Sequence, residues 1–297
     1  MAVSHFSLLH CGVQCAHYPP SHQRIPVRGK SIRDPVATTR PYTEAHAIAR
    51  IEVGIAFTRQ FSKEDLDEFL PFVQARLVNN VDYDFVDRQG GEFDGIALSA
   101  SPAEEGAQAD EMIAGDSVLV FRFFEYRGWA HLVAAIQRRV ATLLPFLDQR
   151  DMEMRSIGIE IQDIFISDES SGPYVLGDVF LDGSPYVAPA LSRFPSIWET
   201  RHDWASKSEE LDLDLLDVLK LGVSPVKSEL ISADGVKEIG LCLQTEVTHR
   251  THCFAKQPGP EFAERMTEIL ENLHMRNKQV VLEVINVDMA KRIGLKD

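Results

Sequence analysis

Two imidazoles and a thiol stand within five residues at His249-Arg250-Thr251-His252-Cys253. Nitrogen and thiolate donors suit Zn²⁺, and a thiolate is also a nucleophile. On an extended backbone His249 and Cys253 project to one side and His252 to the other, so sharing one ion would need a turn. The sequence places this segment in a loop after the last strand. An ordinary strand-end loop is the simpler reading, and metal or nucleophilic use of His249, His252 and Cys253 is the alternative. A second group, Arg201-His202-Asp203-Trp204, lies in a proline-rich stretch. A carboxylate can orient an imidazole as a general base, which makes His202 and Asp203 the catalytic candidates, although sequence neighbours usually point apart. Trp198 and Trp204, with Trp129 upstream, are candidate binding aromatics, and packing under a loop is their commoner role. His10, Cys11, Cys15, His17 and His22 form a third set, but a metal site needs a fold to hold its ligands, and the sequence around them predicts none.

Carboxylates offer less. Asp212, Asp214 and Asp217 read as a solvated helix face, on which Asp214 and Asp217 share a side, before they read as a Mg²⁺ site. Glu261, Glu264, Arg265, Glu268 and Glu271 read as the outer face of the last helix. Glu160 and Asp163 fall on opposite faces of a strand, with Glu160 toward solvent or an interface rather than in a buried pair. The phosphate-cradling patterns G-x-x-x-x-G-K-[ST] and G-x-G-x-x-G are absent, as is the G-x-S-x-G elbow. No cofactor is implied.

The elements that must position these residues can be read from periodicity. Ile51, Val53, Ile55 and Phe57 alternate as a half-buried strand. Ser62 then caps a helix with Asp65 three residues on, and Pro71 requires a kink or a helix that starts just before it. Strands follow at Gly95–Ser99 and Ser117–Tyr126, joined by the turn-rich Ser101–Gly115. A strong amphipathic helix opens at Gly128-Trp129, and a strand covers Ile157–Ile166. Leu211, Leu215, Val218 and Leu219 predict a short helix within Glu209–Leu221. Lys227–Ile231 and Val236–Thr248 form a hairpin about Ala233-Asp234-Gly235. Pro260 opens the last helix, and a short restart at Asp288 ends at Gly294. This order lacks regular βα alternation. It predicts an α+β fold, a mixed or largely antiparallel sheet covered on one face by long amphipathic helices. The expected organisation is a mobile basic tail over 1–49, an N-terminal α+β half over 50–171, a Pro-rich connection over 172–206, and a hairpin-plus-helix half over 207–297 that completes the same fold.

The 297 residues are 44 % hydrophobic and 25 % charged, ordinary for a globular chain. A net charge of −15 repels phosphate backbones and anionic membranes, so no nucleic-acid or membrane partner is expected. Residues 1–50 carry six basic against two acidic side chains, which leaves about −19 for the remainder. No apolar run reaches the roughly 18–20 residues of a membrane span. Four scattered cysteines do not make a disulfide framework, which points to a reducing cytoplasm.

The strand Ile51–Phe57 with its helix, Tyr126-Arg127-Gly128-Trp129, the strand Ile157-Gly158-Ile159, and Leu273-His274 with Ile293-Gly294-Leu295 together resemble a sporadically distributed family of bacterial proteins. The resemblance covers most of 50–297. It implies a bacterial, cytoplasmic, accessory protein and brings no activity, cofactor or catalytic residue with it. The expected function is therefore a non-enzymatic protein-binding or assembly component of a system such as phage defence or toxin neutralisation, with a protein partner or a second copy of the chain. The alternatives are a metal-assisted hydrolase built on His249, His252 and the His202/Asp203 pair, and a small-ligand binder with a sheet–helix pocket lined by Phe121, Phe123 and Trp129.

Overall fold

A computed structural model describes residues 39–43, 45–77, 95–99, 110–168, 174–193, 197–231 and 237–295. Its strands are β1 (Thr39–Pro41), β2 (Ile48–Phe57), β3 (Gly95–Ser99), β4 (Glu111–Gly115), β5 (Val118–Phe123), β6 (Met154–Asp168), β7 (Trp198–Ser208), β8 (Leu213–Ile231) and β9 (Lys237–Phe254). The helices are α1 (Lys63–Leu77), α2 (Trp129–Asp148), α3 (Pro260–Glu264), α4 (Met266–Val284) and α5 (Val287–Arg292). All nine strands join one sheet in the order β3-β4-β5-β2-β6-β9-β8-β7, with β1 beside the end of β6, and every pairing is antiparallel. The fold is therefore α+β around a large antiparallel sheet. Its helices reach 20 residues at most and are not the long ones expected.

The alternation read in β2 sets the register. Ile51, Val53 and Ile55 face Ile161, Ile159 and Ile157 of β6, all at most 2 % exposed. In α1 the cap forms as a reciprocal pair: the Ser62 hydroxyl accepts from Asp65 N–H at 3.1 Å, and the Asp65 carboxylate accepts from Ser62 N–H at 2.7 Å. The helix then runs on through Pro71. Gly128, at φ 102°, turns the chain into α2, a backbone conformation that side chains other than glycine's resist.

Two apolar clusters result. The first joins Ile51, Val53, Phe121, Ile159 and Leu215 to Phe69 of α1, Ile136 of α2 and Leu273 of α4. The second joins Phe165, Leu219, Leu221 and Val247 to Phe180 and to Val280, Val281 and Val284 of α4. Between them every spanning element switches to polar residues. β8 has Asp217 between Leu215 and Leu219, and β9 has His249 and Thr251 between Val247 and Cys253. β6 has Asp163 between Ile161 and Phe165, and α4 has His274 and Asn277 between Leu273 and Val280. A buried polar seam thus crosses the sheet.

Several expectations are corrected. Glu209–Leu221 is not a helix: residues 209–212 form a turn and β8 starts at Leu213. The spacing of Leu211, Leu215 and Leu219 fits period two as well as helical period, and full-length pairing with β7 and β9 decides for strand. The end of the turn-rich stretch is β4, joined to β5 by Asp116-Ser117 with Asp116 at φ 46°. β9 continues to Phe254, so 249–253 is strand interior rather than a loop. β1 lies inside the expected tail and β7 inside the expected connection. His10, Cys11, Cys15, His17 and His22 and the turn expected at 233–235 lie outside the described residues; the pairing of β8 with β9 is described as far as Ile231 and Lys237.

Candidate functional site

The seam is built from β6, β8, β9 and α4, and its centre lies on the last three. Asp217 and His249 are both fully buried, on the same face of adjacent strands. With its proton on Nε2, His249 donates to Asp217 Oδ1 at 3.2 Å, while its Nδ1 accepts from Asn277 Nδ2 at 3.3 Å. Arg276 Nη2 donates to Asp217 Oδ2 at 3.2 Å, and Ser206 Oγ donates to the same oxygen at 3.2 Å. Burial alone would raise the Asp217 carboxyl. The hydrogen bonds from His249 and Arg276 outweigh it and hold the group below its ordinary value. Trp204 stacks on the His249 ring at 6.1 Å between centroids, and Tyr186 stacks on Trp204 at 5.6 Å. Chemically this is an Asp–His pair with both imidazole nitrogens already committed. It ties α4 to β8 and β9, and its histidine has no nitrogen left for a substrate or an ion.

Farther along the seam Asp163 sits 5 % exposed, and burial pushes its carboxyl up to about 7. Trp129 stacks flat on His274 at 3.9 Å, where the Trp129 Nε1 and His274 Nδ1 atoms are buried without hydrogen-bond partners among the described residues. Burial, with Lys278 adding to it, pushes His274 down to about 4.

The residues singled out in the sequence separate. His202 on β7 aligns through Leu219 with His249, two strands and about 10 Å away, and its Nε2 lies 2.9 Å from the Tyr186 carbonyl. Asp203 points to the opposite face, where it accepts from Arg201 at 2.9 Å. His252 also faces away from His249. It lies against Gly158, and burial pushes it down to about 4. Cys253 shares the His249 side as expected, but four residues farther on and in the first apolar cluster. Burial pushes its thiol up to about 12, far from the thiolate that a nucleophile or ligand requires. Trp198 packs on Phe180 at 5.5 Å. Phe121 and Phe123 are buried in the first cluster. Among the described residues no three His, Cys, Asp or Glu side chains converge as a metal site. Asp212 and Asp214 do not share a face with Asp217: Asp212 is in the turn, Asp214 points outward, and Asp217 points into the seam. Arg276 and Asn277 escaped the sequence reading, and His274 entered it only within the Leu273-His274 resemblance, because polar residues on a helix read by default as its solvent side.

The other sheet face carries a row of opposite charges. Arg122 bridges Glu111 at 2.6 Å and Glu52 at 2.8 Å, and Glu160 accepts from Arg50 at 2.9 Å and from Arg250 at 2.7 Å. Glu160 is 8 % exposed rather than at solvent. Burial would raise its carboxyl, but Arg250 and Arg50 hold it below the ordinary value. Among the described residues no helix is long and apolar enough to cross a membrane. No family model matches this chain, and no curated protein matches it.

Proposed function

We propose that the chain is a non-enzymatic protein-binding or assembly component that acts in the bacterial cytoplasm within an accessory system such as phage defence or toxin neutralisation. The observation that carries this reading is an exposed acidic patch. Glu209, Glu210 and Asp212 occupy the β7–β8 turn, and Glu264, Glu268 and Glu271 line the helices beside it. The two parts are tied together, since Asn272 donates to Glu210 at 2.7 Å and Arg265 donates to the Leu211 carbonyl at 3.3 Å. Lys207, Lys256 and Arg265 neutralise part of the patch, and the rest favours a basic partner.

The commitment of His249, Asp217, His202 and Asp203 to internal partners weighs against the hydrolase alternative. The small-ligand alternative retains one specific support, the unpartnered ring nitrogens of the Trp129–His274 stack. Affinity capture from the source cell with the chain as bait, at low and at high salt, tests the binding reading. A basic protein should be retained, and lost when Glu209, Glu210 and Glu271 are changed to Lys. Capture indifferent to those changes and to salt would refute it.

A further inference from the structure

Strand β7 is an edge of the sheet. It pairs only with β8 among the described residues, over eleven consecutive residue pairs without a bulge. Half of its backbone N–H and C=O groups therefore point away from the sheet. Natural edges are guarded by proline, bulges or charged side chains; β7 has neither proline nor bulge, so charge is its one guard and the pattern of that charge decides what the edge can pair with. Its outward residues alternate as Glu199, Arg201, Asp203, Ala205 and Lys207, all exposed, with Arg201 and Asp203 of opposite sign and two residues apart.

That pattern can be tested against its own copy. When a strand pairs antiparallel with itself about a two-fold axis, residues keep matching faces only if the axis passes through a residue. An axis at Arg201 opposes Arg201 to itself and Glu199 to Asp203. An axis at Asp203 opposes Asp203 to itself, and one at Trp204 opposes Arg201 to Lys207. An axis at Thr200 pairs Glu199 with Arg201 but shortens the ladder to about five residues, and one at Ala205 pairs Asp203 with Lys207 but shortens it to about seven. Only an axis at His202 uses nearly the whole strand, sets Arg201 against Asp203 twice, Glu199 against Ala205 twice, and opposes no like charges.

We propose that β7 is a self-pairing edge, through which two copies of this chain join their sheets antiparallel about His202, with Arg201 facing Asp203 of the partner subunit. The proposal rests on the assembly reading and names its partner for this edge. The net charge of −15 opposes self-association at long range. At physiological salt, where the Debye length is about 8 Å, the contact pairs outweigh it.

Sedimentation of the full chain and of two variants, R201D and D203R, tests the register. Both side chains are nearly half exposed, so neither change disturbs packing. The parent chain should dimerise. Each variant places like charges at both symmetric contacts and should weaken dimerisation by at least about tenfold. Mixed in equal amounts, the two variants should recover it as a heterodimer, because every contact is then of opposite sign. In the same register E199C/A205C should form an intermolecular disulfide on oxidation beyond that of the parent chain. Within one strand these positions are about 20 Å apart, too far to bridge. A parent chain that is monomeric at every concentration, or a dimer that ignores both substitutions and shows no preference on mixing, overturns the proposal. A monomer that still captures a basic protein through its acidic patch overturns the dimer alone and leaves the binding reading in place.

Discussion

Replacing Asp163 by Asn should make the protein more stable, increasingly so as pH rises. Asp163 is 5 % exposed and its carboxyl titrates at about 7 rather than near 3.8. Where the folded-state value is raised, the stabilising contribution is complete below the unfolded value and is lost as pH climbs through the folded one. Across that window the unfolded chain has released its proton while the folded chain retains it. The loss accrues at up to about 1.36 kcal/mol per pH unit and is complete just above pH 7, a ceiling of about 4 kcal/mol. His252 and His274 run the other way. Both are pushed down to about 4, so their contribution is present above about 6.5 and is lost as pH falls toward 4. The wild-type pH profile mixes these opposing slopes, whereas its difference from D163N isolates Asp163. Urea unfolding followed by circular dichroism should show D163N gaining on the wild type by about 3 kcal/mol between about pH 5 and about pH 8. Parallel profiles, or a D163N less stable at the alkaline end, would refute the buried-acid reading.

Two further substitutions test the sheet. D217A leaves His249 buried without its acceptor and Arg276 without its carboxylate, and should cost about 3–5 kcal/mol in urea unfolding; D217A/H249A should lose less than the sum of the two single losses if the pair acts as a unit. At Gly158 an added Cβ would sit 2.3 Å from His252 Nδ1. G158A should therefore cost about 1–3 kcal/mol in thermal unfolding, and G158A/H252A should recover most of it, because removing the ring opens the space.

Local patterns were legible where one force dominated. The Ile51–Phe57 alternation, the Ser62/Asp65 cap, the α2 stripe, the 3.6 period of α4 and the positive-φ Gly294 all matched the structure, since each is set by neighbours in sequence. β4 was hidden because Glu111–Gly115 is short and its neighbours are turn-formers, so only pairing with β5 makes it a strand. In β8 the leucines satisfied both periods. The signal that could have decided was Asp217, the one polar residue in the alternating series Leu213, Leu215, Asp217, Leu219, Leu221 and Val223, all of which are buried. The seam was beyond local reading: Asp217, His249, Asn277 and Asp163 come from four elements, and only the assembled sheet shows that the three strand residues step diagonally across it, Asp217 opposite Thr251, His249 opposite Leu219 and Ile161, and Asp163 opposite Val247.

Charge is likewise distributed in a way the total conceals. The row across the second sheet face contains Glu111, Glu52 and Glu160 against Arg122, Arg50 and Arg250, so it adds nothing to the −15. Apart from Arg250, its side chains are under one-fifth exposed. Added salt screens such partly buried pairs much less than it screens separated surface charges. The acidic turn at 209–212 and the acids of α3 and α4 are exposed and carry net charge, so attraction between them and a basic protein should fall steeply with salt. Ionic strength can therefore separate the two. If partner capture is lost at a salt concentration that leaves the unfolding midpoint nearly unchanged, steering resides in the acidic patch and the sheet row is structural. If the two decline together, loss of folding accounts for loss of capture, and the acidic patch would no longer be needed to explain binding.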